Sequence, residues 1–139
     1  MILVDTSGLL SALDESQRHH RDCAAALNDA TPPLLLSPFV LAELDYLLMR
    51  HLGASAQAAL LDEVARGAYQ LEPFDAADIA RAKEVIDRYA DLAVGLADAS
   101  IVVLAERHST NTVLSLDERH FRAMRIDRRK RFKVLPFDR

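Results

Sequence analysis

Cysteine occurs once in the 139 residues, and no apolar run is long enough to cross a membrane. The single thiol, Cys23, cannot form an intramolecular disulfide, so nothing points to an oxidising compartment. A bilayer span needs about 20 apolar residues, and the nearest candidate, residues 92–105, is interrupted by Asp98. The amino terminus also lacks the basic and apolar regions of a signal peptide. We therefore predict a cytoplasmic protein with no membrane association.

The chain has no excess of positive charge, because it carries 17 Lys and Arg against 21 Asp and Glu. Residues 1–117 hold 8 basic and 18 acidic side chains, whereas residues 118–139 hold 9 and 3. The acidic body argues against a protein that coats nucleic-acid phosphates with its whole surface. The basic segment allows a local contact with a polyanion, and a solvated charged loop explains it equally well. Half of the residues are apolar, which suits a single domain over residues 1–139.

Short apolar runs alternate with helical periodicities along the chain. The runs predict strands at residues 2–4, 34–36, 69–73, 111–116 and 132–135. Helices are predicted after Asp5 and at residues 17–28, 37–52, 54–66, 75–89 and 95–108. Ser37 and Pro38 are typical of a helix start, as N-cap and first helical residue. This alternation predicts an α/β fold with a central parallel sheet flanked by helices, and ligands then bind beyond the carboxyl ends of the strands.

Two carboxylates directly follow predicted strands, at the edge where ligands are expected. Asp5 comes after the first strand, and Asp117 comes after the strand at residues 111–116. The alternative for each residue is a purely structural one. Each side chain can serve as the N-cap of the helix or turn that follows it.

Two further carboxylates lie on predicted helices. Glu43 falls at the edge of an apolar stripe and should be partly desolvated, unless its side chain reaches back to solvent. Asp98 lies near the centre of an apolar stripe, so it should point inward between helix and sheet. A buried carboxylate without a partner is protonated or destabilising. Backbone N–H groups of the first helical turn are the alternative partner for Asp98.

Together, Asp5, Glu43, Asp98 and Asp117 would place four acidic groups at one end of one sheet. Such groups repel one another unless a cation lies between them. Oxygen-only ligands favour Mg²⁺, or Mn²⁺, over Zn²⁺. A site of this kind suits phosphodiester hydrolysis, because the metal activates a bound water and offsets charge on the phosphate oxygens.

The chain resembles the PIN-domain ribonucleases, and among them the VapC toxins of bacterial toxin–antitoxin pairs. The resemblance covers nearly the whole chain and rests on four segments in the family's order: Val4-Asp5-Thr6-Ser7, Leu41-Ala42-Glu43-Leu44-Asp45-Tyr46-Leu47-Leu48, Gly95-Leu96-Ala97-Asp98-Ala99-Ser100 and Thr112-Val113-Leu114-Ser115-Leu116-Asp117-Glu118-Arg119-His120-Phe121.

The resemblance implies a PIN-like three-layer fold and a Mg²⁺-dependent endoribonuclease. It implies that the four carboxylates hold the metal and that Thr6 or Ser7 supports Asp5. Ser115 stands where many relatives have threonine, so a hydroxyl is kept. The implied partners are a VapB-type antitoxin that blocks the site, a second copy of the chain in a homodimer, and a structured RNA, either tRNA or a loop of ribosomal RNA.

The basic segment then gains a possible role, because it follows Asp117 directly. Its side chains are predicted to hold RNA phosphates near the metal, with an exposed loop without contacts as the alternative. The residues concerned are Arg119, Arg122, Arg125, Arg128, Arg129, Lys130, Arg131 and Lys133. The five histidines show no zinc-ligand spacing and are interpreted as surface residues: His19, His20, His51, His108 and His120.

Three other interpretations compete with a nuclease. A phosphorelay receiver domain needs an acidic pair after the first strand and a lysine after a late one, but Thr6 follows Asp5 and Pro136 follows Leu135. A phosphatase of the Asp-x-Asp type needs an aspartate where the chain has Ser7. A catalytically inactive binding module with a PIN-like fold stays open, and it predicts that the four carboxylates are dispensable.

Overall fold

A five-stranded parallel sheet forms the centre of the molecule, as seen in a computed structural model that describes residues 1–139. The strands are β1 (Ile2–Val4), β2 (Leu34–Leu36), β3 (Gln70–Leu71), β4 (Thr112–Leu114) and β7 (Lys133–Leu135). Their order across the sheet is β3-β2-β1-β4-β7, and every neighbouring pair is parallel. Leu3 in β1 pairs with Leu35 on one side and Val113 on the other. The predicted α/β class with a central parallel sheet is confirmed.

Seven helices flank this sheet: α1 (Thr6–Leu13), α2 (His20–Asp29), α3 (Pro38–Leu52), α4 (Ala54–Ala65), α5 (Ala76–Arg88), α6 (Leu96–His108) and α7 (Glu118–Ala123). A short hairpin of β5 (Arg125–Ile126) and β6 (Lys130–Arg131) forms a separate antiparallel pair that the sequence did not predict. No helix is both long and apolar enough to span a bilayer.

Local signals explain where most helices begin and end. The Ser37 hydroxyl accepts a hydrogen bond from the Phe39 N–H, and Pro38 occupies the first helical position of α3. Gly53 ends that helix with φ of 89°, a conformation that glycine adopts without strain. Helix α2 begins three residues later than predicted. The Asp14 carboxylate accepts from Ser16 N–H and the Gln17 side chain and holds residues 14–17 in a turn.

The core lies around β1 and α6. Leu3 and Val4 are fully buried, and every residue from Ala99 to Ala105 is buried as well. Over these two turns α6 is therefore buried around its whole circumference, so no single stripe of the helix faces the core, contrary to the prediction. Ser37 and Ser100 share a hydrogen bond of 2.6 Å, which ties the start of α3 to the start of α6.

A buried carboxylate joins β3 to α6 away from the strand ends of β1 and β4. Glu72 is 6% exposed and receives hydrogen bonds from Gln70, Arg107 and His108. Burial opposes ionisation of Glu72, but these donors outweigh it and lower its pKa. The surface interpretation of His108 is therefore wrong, because its imidazole is a partner of a buried acid.

Candidate active site

All four predicted carboxylates line one cleft of about 250 Å³ at the carboxyl ends of β1 and β4. The other lining residues are Thr6, Ser7, Gly95, Leu96 and Ala97. Parallel pairing of β1 with β4 brings Asp5 and Asp117 to the same edge, and α3 and α6 supply the remaining two carboxylates. No Lys or Arg lines the cleft.

Asp5 is the most deeply buried of the four, with 4% exposure. It occupies the N-cap position of α1, but its side chain makes no capping hydrogen bond. Its carboxylate instead accepts from Ser115 Oγ at 2.6 Å and from Ser7 Oγ at 3.2 Å. Burial raises the pKa of Asp5 from 3.8 to about 6; the Ser115 hydrogen bond opposes this rise, and the charge of Asp98 adds to it.

Two serine hydroxyls connect Asp5 to the loop after β4. Ser115 Oγ accepts from the Asp117 N–H at 2.9 Å, and Ser7 Oγ accepts from the Leu116 N–H at the same distance. Ser7 and Ser115 therefore both hold Asp5 in place, whereas the resemblance implied this role for Thr6 or Ser7. The Thr6 hydroxyl does not contribute, since it is buried without a hydrogen-bond partner.

Asp98 lies in the first turn of α6 and faces the cleft. Its side chain is 18% exposed, so it does not point inward between helix and sheet as predicted. Burial raises its pKa; the nearby His120 opposes the rise and the charge of Asp117 adds to it. The carboxylate thus lies at the rim of the core with the imidazole of His120 as its hydrogen-bond partner.

Asp117 and His120 form a compact unit at the start of α7. Asp117 Oδ1 accepts from the His120 N–H at 3.1 Å, so the N-cap interpretation is confirmed. His120 Nδ1 lies 2.8 Å from Asp117 Oδ2 and 3.0 Å from Asp98 Oδ2, and Nε2 lies 2.8 Å from the Leu92 carbonyl oxygen. The surface interpretation of His120 is wrong, because the imidazole bridges two carboxylates of the cleft.

The pKa of His120 reflects these contacts. Burial favours the neutral ring, but the hydrogen bond to Leu92 and the charges of Asp117 and Asp98 outweigh it and raise the pKa. Asp98, Asp117 and His120 also form the one group of side chains whose potential metal-ligand atoms all lie within 4.8 Å of one another.

Glu43 differs from the other three carboxylates. It lies on α3 at the wall of the cleft, and its side chain is exposed. The predicted partial desolvation is therefore wrong, and the alternative of a side chain reaching solvent is confirmed. Its place in the cleft leaves it available to a ligand.

The structure places most of the basic segment away from the carboxylates of the cleft. Arg119 is exposed in the first turn of α7, next to Asp117. Arg122 is neutralised by Glu118 and Asp138, which hold both of its terminal nitrogens.

Four further predicted RNA contacts lie on the β5–β6 hairpin: Arg128, Arg129, Lys130 and Arg131. Arg125 donates to the main-chain carbonyls of residues 122–124, and Lys133 is exposed in β7. The hairpin contacts the opposite end of the fold, because the Asp127 N–H donates to Glu106 near the end of α6. Glu106 lies about 12 Å along the helix axis from Asp98, at 1.5 Å per residue. The Arg131 carbonyl also accepts from Asn111, which precedes β4, whereas the cleft follows that strand.

The donor set of the cleft fits a hard divalent cation. Four carboxylates line the cleft, one of them on a buried residue. Asp98 and Asp117 bring their oxygen atoms within 4.8 Å of each other and of a ring nitrogen of His120. Mg²⁺ and Mn²⁺ prefer such carboxylate oxygens. Asp5, Glu43, Asp98 and Asp117 are the residues that would hold the metal.

A PIN-domain family model matches residues 2–128. The chain therefore belongs to the PIN-domain family, and the receiver-domain alternative falls away. Among curated proteins, it is 41% identical over 135 residues to Ribonuclease VapC26 of Mycobacterium tuberculosis (strain ATCC 25618 / H37Rv), and the match covers 97% of this chain and 100% of that protein. The resemblance to VapC proteins is thereby confirmed.

Solved structures share the fold. Mycobacterium tuberculosis VapC20, a sarcin-ricin loop cleaving toxin, aligns with a TM-score of 0.80 at 21% identity, over 86% of this chain and 92% of VapC20. VapBC2 from Rickettsia felis, bound to a promoter DNA fragment, aligns with a TM-score of 0.67 at 17% identity, over 96% and 98% of the two chains. FitAcB from Neisseria gonorrhoeae aligns with a TM-score of 0.62 at 25% identity, over 87% and 91%.

Proposed function

We propose that this chain is a metal-dependent endoribonuclease toxin of the VapC type, with Mg²⁺ as its cofactor. The observation that carries the proposal is the convergence of Asp5, Glu43, Asp98 and Asp117 on one cleft without a lysine or arginine among them. The 41% identity to a VapC ribonuclease supports the choice of RNA as substrate.

The side chains of the cleft have separable tasks in this proposal. A bound Mg²⁺ would supply an activated water and offset negative charge on the phosphate oxygens. Ser7 and Ser115 hold the Asp5 carboxylate in one orientation, so its reorganisation during the reaction is small. Exposed Glu43 can accept a proton at its carboxylate oxygen or orient water, since the structure leaves it open to solvent.

Partners and substrate class follow from the relatives. Rickettsia felis VapBC2 and FitAB were each solved bound to a DNA fragment, which for VapBC2 comes from their promoter, and VapC20 is a sarcin-ricin loop cleaving toxin. We propose that this chain pairs with a VapB-type antitoxin, forms a homodimer, and acts on a structured RNA such as tRNA or a ribosomal RNA loop.

The direct test is cleavage of a labelled tRNA and of a sarcin-ricin loop RNA by the purified chain. We expect cleavage in Mg²⁺ or Mn²⁺, none in EDTA, and a loss of about 100-fold in Asp98→Asn, because a carboxylate of the metal site is removed. Exposed Asp91, outside the cleft, provides the control Asp91→Asn, which should cleave normally. Cleavage that survives EDTA or Asp98→Asn would contradict the proposal. RNA binding without cleavage would favour the inactive binding module.

The exposed hairpin makes a separate prediction about RNA binding. Its four basic side chains, Arg128, Arg129, Lys130 and Arg131, are exposed and form no ion pair within the chain, unlike Arg122. We propose that they contact phosphates of an RNA large enough to reach beyond the cleft. Replacing all four by Gln should weaken RNA binding about tenfold or more near 50 mM salt and much less at high salt, because fewer counterions are released.

Filter binding or anisotropy over a series of salt concentrations measures this change. The matched control is Lys83→Gln, whose ammonium group is already paired with Asp87. The hairpin variant should raise KM and leave kcat nearly unchanged, because these residues lie far from the carboxylates. An unchanged slope of affinity against salt would show that the hairpin is a solvated loop.

A further inference from the structure

His120 connects three segments that converge at the rim of the cleft. Its Nδ1 lies between Asp98 on α6 and Asp117 before α7, and its Nε2 contacts the turn at Ala90–Leu92. We infer that His120 is a positioning residue, which fixes one oxygen of each of these two carboxylates so that both face the cation. This inference rests on the proposed function and concerns a residue outside the predicted carboxylate set.

The geometry assigns different partners to the two ring nitrogens. A backbone carbonyl only accepts hydrogen bonds, so Nε2 donates to the oxygen of Leu92. Nδ1 forms a hydrogen bond with Asp98 Oδ2 at 3.0 Å and lies 2.8 Å from Asp117 Oδ2, so a donor at this atom faces both carboxylates. The ring is thus fixed at one end by the main chain and acts on the carboxylates at the other, which is the arrangement of groups that orient metal ligands.

Mutual repulsion of the two carboxylates makes such a donor necessary. Asp98 and Asp117 are 18% and 31% exposed, so water screens their charges only in part. Without a bridging N–H, each side chain can rotate its charge away from the other and away from the cleft. Asp117 also accepts a hydrogen bond from the backbone N–H of His120. The imidazole of His120, in contrast, is the only side chain that hydrogen-bonds to Asp98. We expect Asp98 to lose its orientation first.

Two substitutions separate the contacts of the ring. In His120→Asn, the amide nitrogen takes the place of Nδ1 and keeps a donor for the carboxylates, while the Leu92 contact is lost. In His120→Gln, the amide nitrogen takes the place of Nε2, so Leu92 keeps its donor and the carboxylates lose theirs. If His120 positions the carboxylates, His120→Asn should preserve Mn²⁺ binding and His120→Gln should weaken it. If His120 instead acts by fixing the turn at Ala90–Leu92, the reverse is expected.

Titration calorimetry with Mn²⁺ on the RNA-free protein tests the inference without any cleavage. We expect His120→Asn to bind Mn²⁺ within about threefold of the wild type and His120→Gln to bind about tenfold more weakly or worse. In RNA cleavage, His120→Gln should lower kcat with little change in KM. Exposed His51 provides the control, and His51→Gln should match the wild type.

Mn²⁺ binding by the two His120 variants either supports or contradicts the positioning role. If His120→Gln binds Mn²⁺ as tightly as His120→Asn, or more tightly, the inference is overturned in favour of a structural role for the Leu92 contact. Tighter Mn²⁺ binding in both variants would also overturn it, because the imidazole would then compete with the cation. If the wild type binds Mn²⁺ but cuts no RNA, the proposed function fails, and the comparison of Asn with Gln still decides the role of His120.

Discussion

Asp5→Asn should stabilise the metal-free protein at pH 7 by about 3 kcal/mol and at the same time lower RNA cleavage about 1000-fold. Asp5 is 4% exposed, and burial raises its pKa from 3.8 to about 6. Holding it ionised at pH 7 therefore costs the fold about 1.4 kcal/mol for each pKa unit between those two values. Asparagine keeps the shape and can still accept hydrogen bonds from Ser7 and Ser115, but it carries no charge to desolvate.

The contribution of Asp5 to the stability of the fold decreases as the pH rises. Because the folded-state pKa of Asp5 lies above the unfolded value, the protonated carboxyl contributes stability that is fully present below about pH 4. That contribution is lost as the pH rises through about 6. The advantage of Asp5→Asn over the wild type should therefore be near zero at pH 4 and reach its full size above pH 6. Urea unfolding at a series of pH values, with EDTA present, measures this difference.

Asp14→Asn is the matched control at the other end of α1. Hydrogen bonds from Ser16 and Gln17 lower the pKa of Asp14, so its ionised form stabilises the fold. Asparagine at this position should lower stability at pH 7, and the loss should diminish as the pH falls through the lowered pKa of Asp14. Equal effects of Asp5→Asn and Asp14→Asn on stability would contradict the assignment of Asp5 as a destabilising buried charge.

Metal binding should reverse the order of stability of the wild type and Asp5→Asn. Mg²⁺ that binds only the folded state stabilises the wild type by mass action, and Asp5→Asn should gain little from it. Cleavage should fall about 1000-fold, because several kcal/mol of charge stabilisation depend on a correctly held metal. Stability and activity thus move in opposite directions, which is expected where a functional site is built from a costly buried charge.

The local signals of the sequence were sufficient for the sheet and for most helices. Ser37 with Pro38 and the glycine at position 53 mark both ends of α3, because caps act through neighbouring backbone atoms. The β5–β6 hairpin had no such signal. Its turn places Asp127 and Arg128 at φ of 50° and 63°, a region usually assigned to glycine or asparagine. In this turn the Asp127 N–H donates to Glu106 of α6, a partner distant in sequence.

The candidate site was predictable to the extent that it depends on strand ends. Asp5 and Asp117 follow β1 and β4, and parallel pairing alone brings them to one edge. Apart from the N-cap bond between Asp117 and the His120 N–H, the partners that hold them were not predictable from spacing. Ser115 lies 110 residues from Asp5, and His120 lies 28 residues from Leu92. A histidine in a short helix has the pattern of a surface residue until the fold brings two carboxylates to it.

Gly8→Ala should unfold the protein or destabilise it by about 3 kcal/mol or more. Gly8 lies inside α1, where alanine normally stabilises a helix by up to about 1 kcal/mol. Here a Cβ atom would lie 2.4 Å from the Leu114 carbonyl oxygen and 2.6 Å from its carbonyl carbon. Both are backbone atoms of β4 in the centre of the sheet, so they cannot move aside as a flexible side chain would. The cost of this clash therefore exceeds the gain in helix propensity, and the substitution lowers the stability of the protein.

The clash at the Leu114 carbonyl also affects the cleft, because the same carbonyl oxygen is hydrogen-bonded to Asp5. Leu114 O accepts the hydrogen bond of the Asp5 N–H at 3.0 Å, so pushing α1 away from β4 displaces Asp5 from Ser115. Any folded Gly8→Ala should show weakened Mn²⁺ binding together with its lower urea midpoint. Gly95→Ala is the control for stability, because an added Cβ meets nothing within 4 Å there and φ is −87°. Gly95 is the N-cap of α6, where alanine is less favourable than glycine, so we expect a loss of at most about 1 kcal/mol. A Gly8→Ala protein as stable as Gly95→Ala would mean that α1 can move away from β4 at little cost, and that the close approach of the two elements does not determine the position of Asp5.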